Sequence, residues 1–203
     1  MQAFLQQTRI AAMMLIVLTV ITGLIYPLAM TGIAQGIFPD QADGSLIERN
    51  DKVVGSSLIG QRWVDPETGL TLSGYFRSRP SAAGAGYDGG ISSGSNYGAT
   101  SDVLKERVAA DIAIIRKENN LRAETEIPVD LVTASASGLD PHISRASAEL
   151  QIARVAAQRG LTEDQVRQLV EDNTEGKFLG FLGEERVNVL ELNIALDDLT
   201  AQN

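Results

Sequence analysis

The most pronounced pattern along the chain is a long apolar run near its start. Between Ile10 and Pro39 the only ionisable side chain is that of Tyr26. Roughly 20 apolar residues are enough to cross the hydrocarbon core of a bilayer as a helix. We therefore predict a transmembrane helix and its extension over 10–38, with a core at about 10–30. A short segment 1–9 precedes this helix, and a soluble domain 39–203 follows it.

Two features refine the prediction for this helix. Pro27 lacks an amide proton and its ring crowds the carbonyl four residues earlier, so a kink is expected there. A cleaved signal peptide is the alternative interpretation, with Arg9 as its charged region. The large apolar residues of 24–28 continue the run where a small-residue cleavage site would be needed, which favours a permanent anchor.

The pattern changes to short segments after the apolar run. Two β-prone runs punctuated by glycine, 52–60 and 70–76, predict strands. The segment 78–101 is dominated by Gly, Ser, Ala, Pro and Asn, and its pattern predicts a long loop that is either functional or disordered.

Helical patterns fill the rest of the chain. An apolar stripe starting at Leu104 predicts a helix from Ser101 to about Asn119, and a second helix is expected between Ser144 and Gly160. Thr162 and Gln165 form a capping-box pattern that begins a short third helix, and the segment from Arg186 alternates before it becomes helical. Strands and helices do not alternate regularly, so the predicted fold class is α+β: one N-terminal transmembrane helix followed by a mixed α+β extracytoplasmic domain.

Charge separates the two parts of the chain. It has 17 basic and 26 acidic residues, and Arg9 is the only charged side chain before Asp40. An acidic domain without a basic stripe is not expected to bind nucleic acid. Arg9 before the span and the excess of acid after it predict a cytoplasmic N-terminus and an extracytoplasmic domain.

Candidate chemistry is sparse. The chain has no cysteine and one histidine, which excludes thiolate chemistry and metal sites built from several histidines. The glycines of 84–89 match a dinucleotide fingerprint, but no strand precedes them and no helix follows. The sequence around Ser92 matches a nucleophile elbow, and Asp130 and His142 follow in the order used by α/β-hydrolases. A membrane-anchored extracytoplasmic serine hydrolase is therefore the alternative function. However, the Gly-rich sequence on both sides of Ser92 does not predict the strand and the helix that a nucleophile elbow needs.

Several motifs taken together resemble one family. They begin with Tyr26-Pro-Leu and Val54-Gly-Ser-Ser-Leu-Ile-Gly-Gln61, and continue with Tyr75-Phe-Arg-Ser-Arg-Pro-Ser-Ala82, Ser93-Gly-Ser-Asn96, Ser137-Gly-Leu-Asp-Pro-His-Ile-Ser144 and Val187-Asn-Val-Leu-Glu-Leu-Asn193. In this order they resemble the C chain of the Kdp-type potassium-transporting ATPase over nearly the whole sequence. Ser93 and Ala136 replace glycines that are common in the family, and both replacements are small.

The resemblance implies a non-catalytic accessory subunit of a high-affinity potassium uptake pump in the bacterial inner membrane. Its implied partners are a channel-like A subunit that selects potassium and a P-type ATPase B subunit, with a further small membrane subunit as an option. The family is described as a catalytic chaperone that raises the ATP affinity of the B subunit. ATP is thus the implied cofactor, with contact proposed at Ser93, Gly94, Ser95 and Asn96, whereas potassium is handled by the partner subunits. No catalytic or metal-binding residue is assigned to this chain.

A docking surface is predicted in the segment from Tyr75 to Tyr97. It combines aromatic side chains with arginines in an otherwise acidic domain, and such residues supply most of the binding energy at protein interfaces. The candidates are Tyr75, Arg77, Arg79, Tyr87 and Tyr97. The alternative is that Arg77 and Arg79 form ion pairs with carboxylates of their own domain.

Overall fold

The computed structural model describes residues 1–65, 67–68 and 70–201. The chain divides into two compact units, Met1–Val54 and Gly55–Asn203. The first unit contains one long apolar helix, and the second mixes helices with a small sheet. The α+β fold class that the sequence predicts is confirmed.

The apolar run forms one long helix. Helix α1 (Gln2–Val20) continues through a π-helical turn (Ile21–Ile25) into α2 (Tyr26–Ile37). Within the described chain this is the one helix that is long and apolar enough to cross a membrane. None of its residues is buried against the rest of the chain, so all of its apolar side chains remain available to lipid or to other helices.

Pro27 explains why the hydrogen-bonding pattern changes at this point. The π-helical turn ends immediately before Tyr26, which directly precedes the proline. A proline ring collides with the carbonyl four residues earlier, which is that of Gly23, and a wider turn relieves such crowding. The sequence signal at Pro27 therefore coincides with an irregular turn of the helix.

A short helix and a hairpin follow the apolar helix. After α3 (Pro39–Ala42), strand β1 (Leu46–Arg49) pairs with β2 (Lys52–Ser56). Asn50 and Asp51 connect them with positive φ values of 50° and 60°, as two-residue hairpins require. The predicted strand at 52–60 is confirmed as far as Ser56, whereas the sequence pattern did not predict β1.

The prediction of a strand over 70–76 is wrong. This segment makes a single bridge, between Val64 and Thr71, and then turns, with the Tyr75 amide donating to the Leu72 carbonyl. Side chains from the helices bind its backbone beyond that point, since the Arg159 guanidinium donates to the Gly74 carbonyl. Long-range side-chain contacts therefore replace the backbone hydrogen bonds that a strand would have formed with its neighbours.

The predicted helices are confirmed. They are α4 (Asp102–Glu118), α5 (Arg145–Arg159) and α6 (Glu163–Asp172). The Ser144 hydroxyl caps α5, Gly160 ends it in the left-handed conformation, and the Thr162 capping box is formed. Local capping groups thus define the ends of α5 and the start of α6.

The second unit is organised around a three-stranded antiparallel sheet of order β3 (His142–Ser144), β5 (Arg186–Asn188), β4 (Thr174–Glu175). Strand β5 passes directly into the terminal helix α7 (Val189–Ala201), as the sequence predicts. The main hydrophobic cluster contains residues from the sheet and from α5, α6 and α7, together with Phe76. A smaller cluster joins α4 to the 3-10 turn Val129–Leu131.

Candidate functional site

The Tyr75–Tyr97 segment contains no helix and no strand, yet two buried amide side chains fix its start. The Asn193 side chain of α7 accepts from the Phe76 amide at 2.8 Å and donates to the Phe76 carbonyl at 3.0 Å. The Gln151 side chain of α5 accepts from the Arg77 amide at 2.7 Å and donates to its carbonyl at 3.3 Å. The start of the segment is therefore held in one conformation by two helices.

The two arginines of the segment face carboxylates of the same unit. Arg79 forms an ion pair with Asp140 at 2.8 Å, and Arg77 lies 3.5 Å from Glu118 and 3.8 Å from Asp111. These contacts match the alternative stated from the sequence, in which Arg77 and Arg79 form ion pairs within their own domain. Both guanidinium groups are mostly covered, so a partner protein could reach only part of them.

Two of the three tyrosines are also built into the unit. Tyr75 stacks on Trp63 with 4.7 Å between ring centroids, and the Arg159 guanidinium lies 4.3 Å from the centre of the Tyr75 ring. The Tyr87 hydroxyl donates to the Arg79 carbonyl at 2.7 Å, and burial raises the pKa of Tyr87 to about 12. Only Tyr97 of the five predicted docking residues is exposed, at 46%.

The arginines also line a cavity of about 290 Å³. Arg62, Arg77, Arg79 and Arg107 surround it, with Asp111 as the acidic group in its wall. Burial raises the pKa of Asp111 more than Arg77 and Arg107 lower it. Guanidinium groups bind carboxylates and phosphates through paired N–H donors. Because Arg77, Arg79 and Arg107 already face carboxylates of the unit, only their remaining donors could serve an anionic group in this cavity.

The Ser93–Asn96 stretch packs against a second loop. The Ser93 amide donates to the Ser137 carbonyl at 2.9 Å. A Cβ atom at Gly94 would lie 2.8 Å from the Ala136 carbonyl oxygen, and one at Gly138 would overlap the Ser93 carbonyl oxygen. Both glycines are therefore needed for the close approach of the two loops. The predicted nucleotide contact at Ser93, Gly94, Ser95 and Asn96 stays a prediction.

The residues of the hydrolase alternative have separate partners. The Ser92 hydroxyl donates to the Ser137 carbonyl at 3.0 Å, and the Asp130 carboxylate accepts from the Ser144 amide and hydroxyl. The His142 ring lies 3.4 Å from an Asp140 oxygen and 3.7 Å from a Glu175 oxygen. The geometry gives the hydrolase hypothesis no support.

Asp140 has a structural role in this arrangement. Burial alone would raise the pKa of its carboxyl group, but hydrogen bonds from His142 and the charge of Arg79 outweigh burial and lower the pKa. The carboxylate accepts from the His142 amide at 3.0 Å, which forms the turn that precedes β3. The Asp140-Pro141 turn therefore connects the arginine-containing segment to the sheet.

The glycines of the dinucleotide fingerprint belong to a tight turn. Gly84 and Gly86 have φ values of 56° and 109°, and the Gly86 amide donates to the Ala83 carbonyl. No strand or helix lies in 77–101, all of which the structure describes, so the strand-to-helix turn of that motif is absent there. The rejection of a dinucleotide site on sequence grounds is consistent with this geometry.

Sequence reasoning missed one exposed feature. Between β4 and β5 the side chains of Phe178, Leu179, Phe181 and Leu182 are between 48% and 71% exposed. The signal was present in the sequence as four large apolar residues within five positions, in a stretch with charged residues on both sides.

The fold defines the class: an α+β unit preceded by a helix that is long and apolar enough to cross a membrane. The candidate catalytic groups Ser92, Asp130 and His142 each contact other groups. The particular family follows from comparison with known proteins. Residues 8–198 match the family described as "K+-transporting ATPase, c chain".

Individual relatives agree with this match. The chain is 53% identical over 189 residues to the Potassium-transporting ATPase KdpC subunit of Mycobacterium tuberculosis, covering 93% of this chain and 96% of the relative. It is 51% identical over 187 residues to the subunit of that name from Koribacter versatilis, covering 92% of each. It is 54% identical over 183 residues to the one from Myxococcus xanthus, covering 90% and 83%. The chain belongs to the KdpC family and is an accessory subunit of a potassium-transporting ATPase.

Proposed function

We propose that this subunit lies in the bacterial inner membrane beside a potassium-selecting A subunit and an ATP-hydrolysing B subunit, and that it supports assembly of the pump. A further small membrane subunit is compatible with this arrangement. The observation that carries the proposal is the apolar helix Gln2–Ile37, none of whose residues is buried within the chain. A Cβ atom added at Gly32 or Gly36 would meet no other part of the chain within 4 Å, which leaves space for neighbouring helices to approach.

The proposed orientation places the N-terminus in the cytoplasm and the domain outside it. It rests on Arg9 before the helix and on the acidic residues that follow, beginning with Asp40. Protease added outside intact spheroplasts should remove the domain, and a tag at the N-terminus should survive. Full protection of the domain until the membrane is permeabilised would contradict this orientation.

We also propose that the subunit raises the ATP affinity of the ATP-hydrolysing partner through the assembled membrane helices. A domain outside the cytoplasm has no access to cytoplasmic ATP, so a direct contact at Ser93–Asn96 is the less favoured route. Coupling between distant sites commonly changes affinity by about 5- to 150-fold, which is large enough for a kinetic assay.

The kinetic prediction compares substitutions in the apolar helix with substitutions in the Ser93–Asn96 stretch, all measured in the full pump. Gly32→Leu should raise the KM for ATP by about fivefold or more, because it blocks close helix packing at a position where an added Cβ meets no other part of this chain. Ser95→Ala and Asn96→Gly should leave this KM unchanged. A rise in KM with the Ser95 and Asn96 variants, but none with Gly32→Leu, would favour direct nucleotide contact instead.

Docking through the Tyr75–Tyr97 segment is proposed to depend chiefly on Tyr97. Its ring is exposed, whereas Tyr75, Arg77, Arg79 and Tyr87 already have partners within the unit. Tyr97→Ala should weaken recovery of the pump after detergent washes by about tenfold or more if the ring is a central contact. Val103→Ala, an exposed residue on α4, is the control. Equal recovery of both variants would show that Tyr97 is not part of the interface.

A further inference from the structure

Four large apolar side chains cluster at the tip of the connection between β4 and β5. We define the apolar loop as Phe178–Leu182; Phe178 is 68% exposed, Leu179 70%, Phe181 71% and Leu182 48%. Exposed apolar residues scattered singly need no explanation, but a contiguous group of this kind marks an interaction site. The loop lies outside both hydrophobic clusters of the unit, so these side chains do not serve the core.

The apolar loop has a defined backbone shape. The Phe178 amide donates to the Leu182 carbonyl at 2.8 Å, and the Leu182 amide donates back to the Phe178 carbonyl at 2.9 Å. Between them Leu179 has a φ of 54° and Gly180 a φ of 81°. A leucine in the left-handed region is unfavourable, and such backbone strain is concentrated at functional sites. The chain thus holds its apolar tip in a closed turn even though the turn buries little of it.

The surroundings distinguish a protein partner from a lipid surface. Glu184 and Glu185 follow the loop, and the flanking Arg186 is already paired with Glu175. Segments that bind lipid surfaces carry many Lys and Arg residues beside their apolar side chains. Here Lys177 is the only basic residue between Gly176 and Glu185, and two carboxylates stand against it, so the charge favours a basic protein partner over an anionic lipid surface.

We propose that the apolar loop inserts into an apolar pocket with basic residues at its rim on another subunit of the pump. A closed turn loses little conformational entropy on binding, and aromatic anchors in a desolvated pocket dominate interface energies. The flanking carboxylates would meet the basic rim and orient the loop. This inference rests on the proposed membership of an assembled pump and adds the surface and the chemistry of the partner site.

Crosslinking in the intact pump tests the contact directly. Phe181 is replaced by the photoreactive residue benzoyl-phenylalanine in the full chain, and the pump is irradiated in native membranes. Val103 on α4 is the control position, since it is also an exposed apolar residue, at 55%, and lies on an element remote in sequence from the loop. We expect an adduct with another pump subunit from position 181 and none from position 103. Adducts with lipid alone, or with a second copy of this chain, would overturn the proposal.

A binding measurement gives an independent readout. The double variant Phe178→Ser with Phe181→Ser should lose subunit recovery after detergent washes by about tenfold or more relative to Val103→Ser, as expected for central aromatic contacts. Both variants alter exposed side chains, and unfolding of the full chain in micelles verifies that the domain is intact. Wild-type recovery of the double variant would overturn the proposal while leaving pump membership standing. Failure of the wild-type chain to co-purify would instead refute membership itself.

Discussion

Replacing Asn193 with Ala should lower the free energy of unfolding by about 2–5 kcal/mol, because two buried backbone groups lose their partners. The Asn193 side chain is fully buried and bonds both the amide and the carbonyl of Phe76, which lies 117 positions earlier in the chain. The loss should appear as a lower midpoint in chemical unfolding of the full chain in detergent micelles.

Two variants make this test specific. Gln168→Ala removes an exposed amide that bonds to Asp172 at the surface, and should change stability by less than about 0.5 kcal/mol. As a carboxylate, the side chain of Asn193→Asp keeps an acceptor for the Phe76 amide but has no donor for the Phe76 carbonyl and buries a charge, and as a neutral acid it must first be protonated. It should therefore be no more stable than Asn193→Ala. If Asn193→Ala unfolds like Gln168→Ala, the amide does not hold the segment as described.

The second large effect is expected at Gly138. Gly138→Ala should cost about 2–4 kcal/mol, the sum of a left-handed backbone penalty and overpacking against the neighbouring loop. Gly138 has a φ of 69°, and an added Cβ would overlap the Ser93 carbonyl oxygen and lie 2.8 Å from the Ala83 Cβ. These are backbone and short side-chain atoms, so no change of rotamer can relieve the contact.

Gly160 provides a matched control for this prediction. Its φ is 66°, close to that of Gly138, but an added Cβ would meet no other part of the chain within 4 Å. Gly160→Ala should therefore show the backbone penalty alone, about 1–2 kcal/mol. Unfolding midpoints of the two variants in the full chain measure the difference. Equal losses would mean that the loops around Ser93 and Gly138 separate at little cost.

The two predictions concern the same part of the molecule. Asn193 holds the start of the Tyr75–Tyr97 segment, and Gly138 allows close packing of its end around Ser93. A loop without helix or strand is thus fixed at both ends by contacts with distant residues. Any partner that binds the segment would meet a surface that is ordered beforehand, which lowers the entropic cost of binding.

The sequence by itself determined the features that depend on neighbours along the chain. The apolar helix follows from a composition that cannot be exposed to water, and helices α5 and α6 follow from the caps at Ser144, Gly160 and Thr162. The family motifs are also local strings of residues, and family membership is confirmed. In each case the interacting groups lie within a few positions of one another, where sequence patterns are informative.

Only the tertiary structure decided which side chains would meet across long separations. Arg79 could have faced a partner or its own domain, and Asp140, 61 positions away, gives it an internal partner. The predicted strand at 70–76 was lost because helices α5 and α7 supply side chains that bind its backbone. The Phe178–Leu182 cluster could equally have been core, and the closed turn between β4 and β5 leaves it exposed. Burial and pairing depend on how the elements pack, and a local pattern of residues does not contain that information.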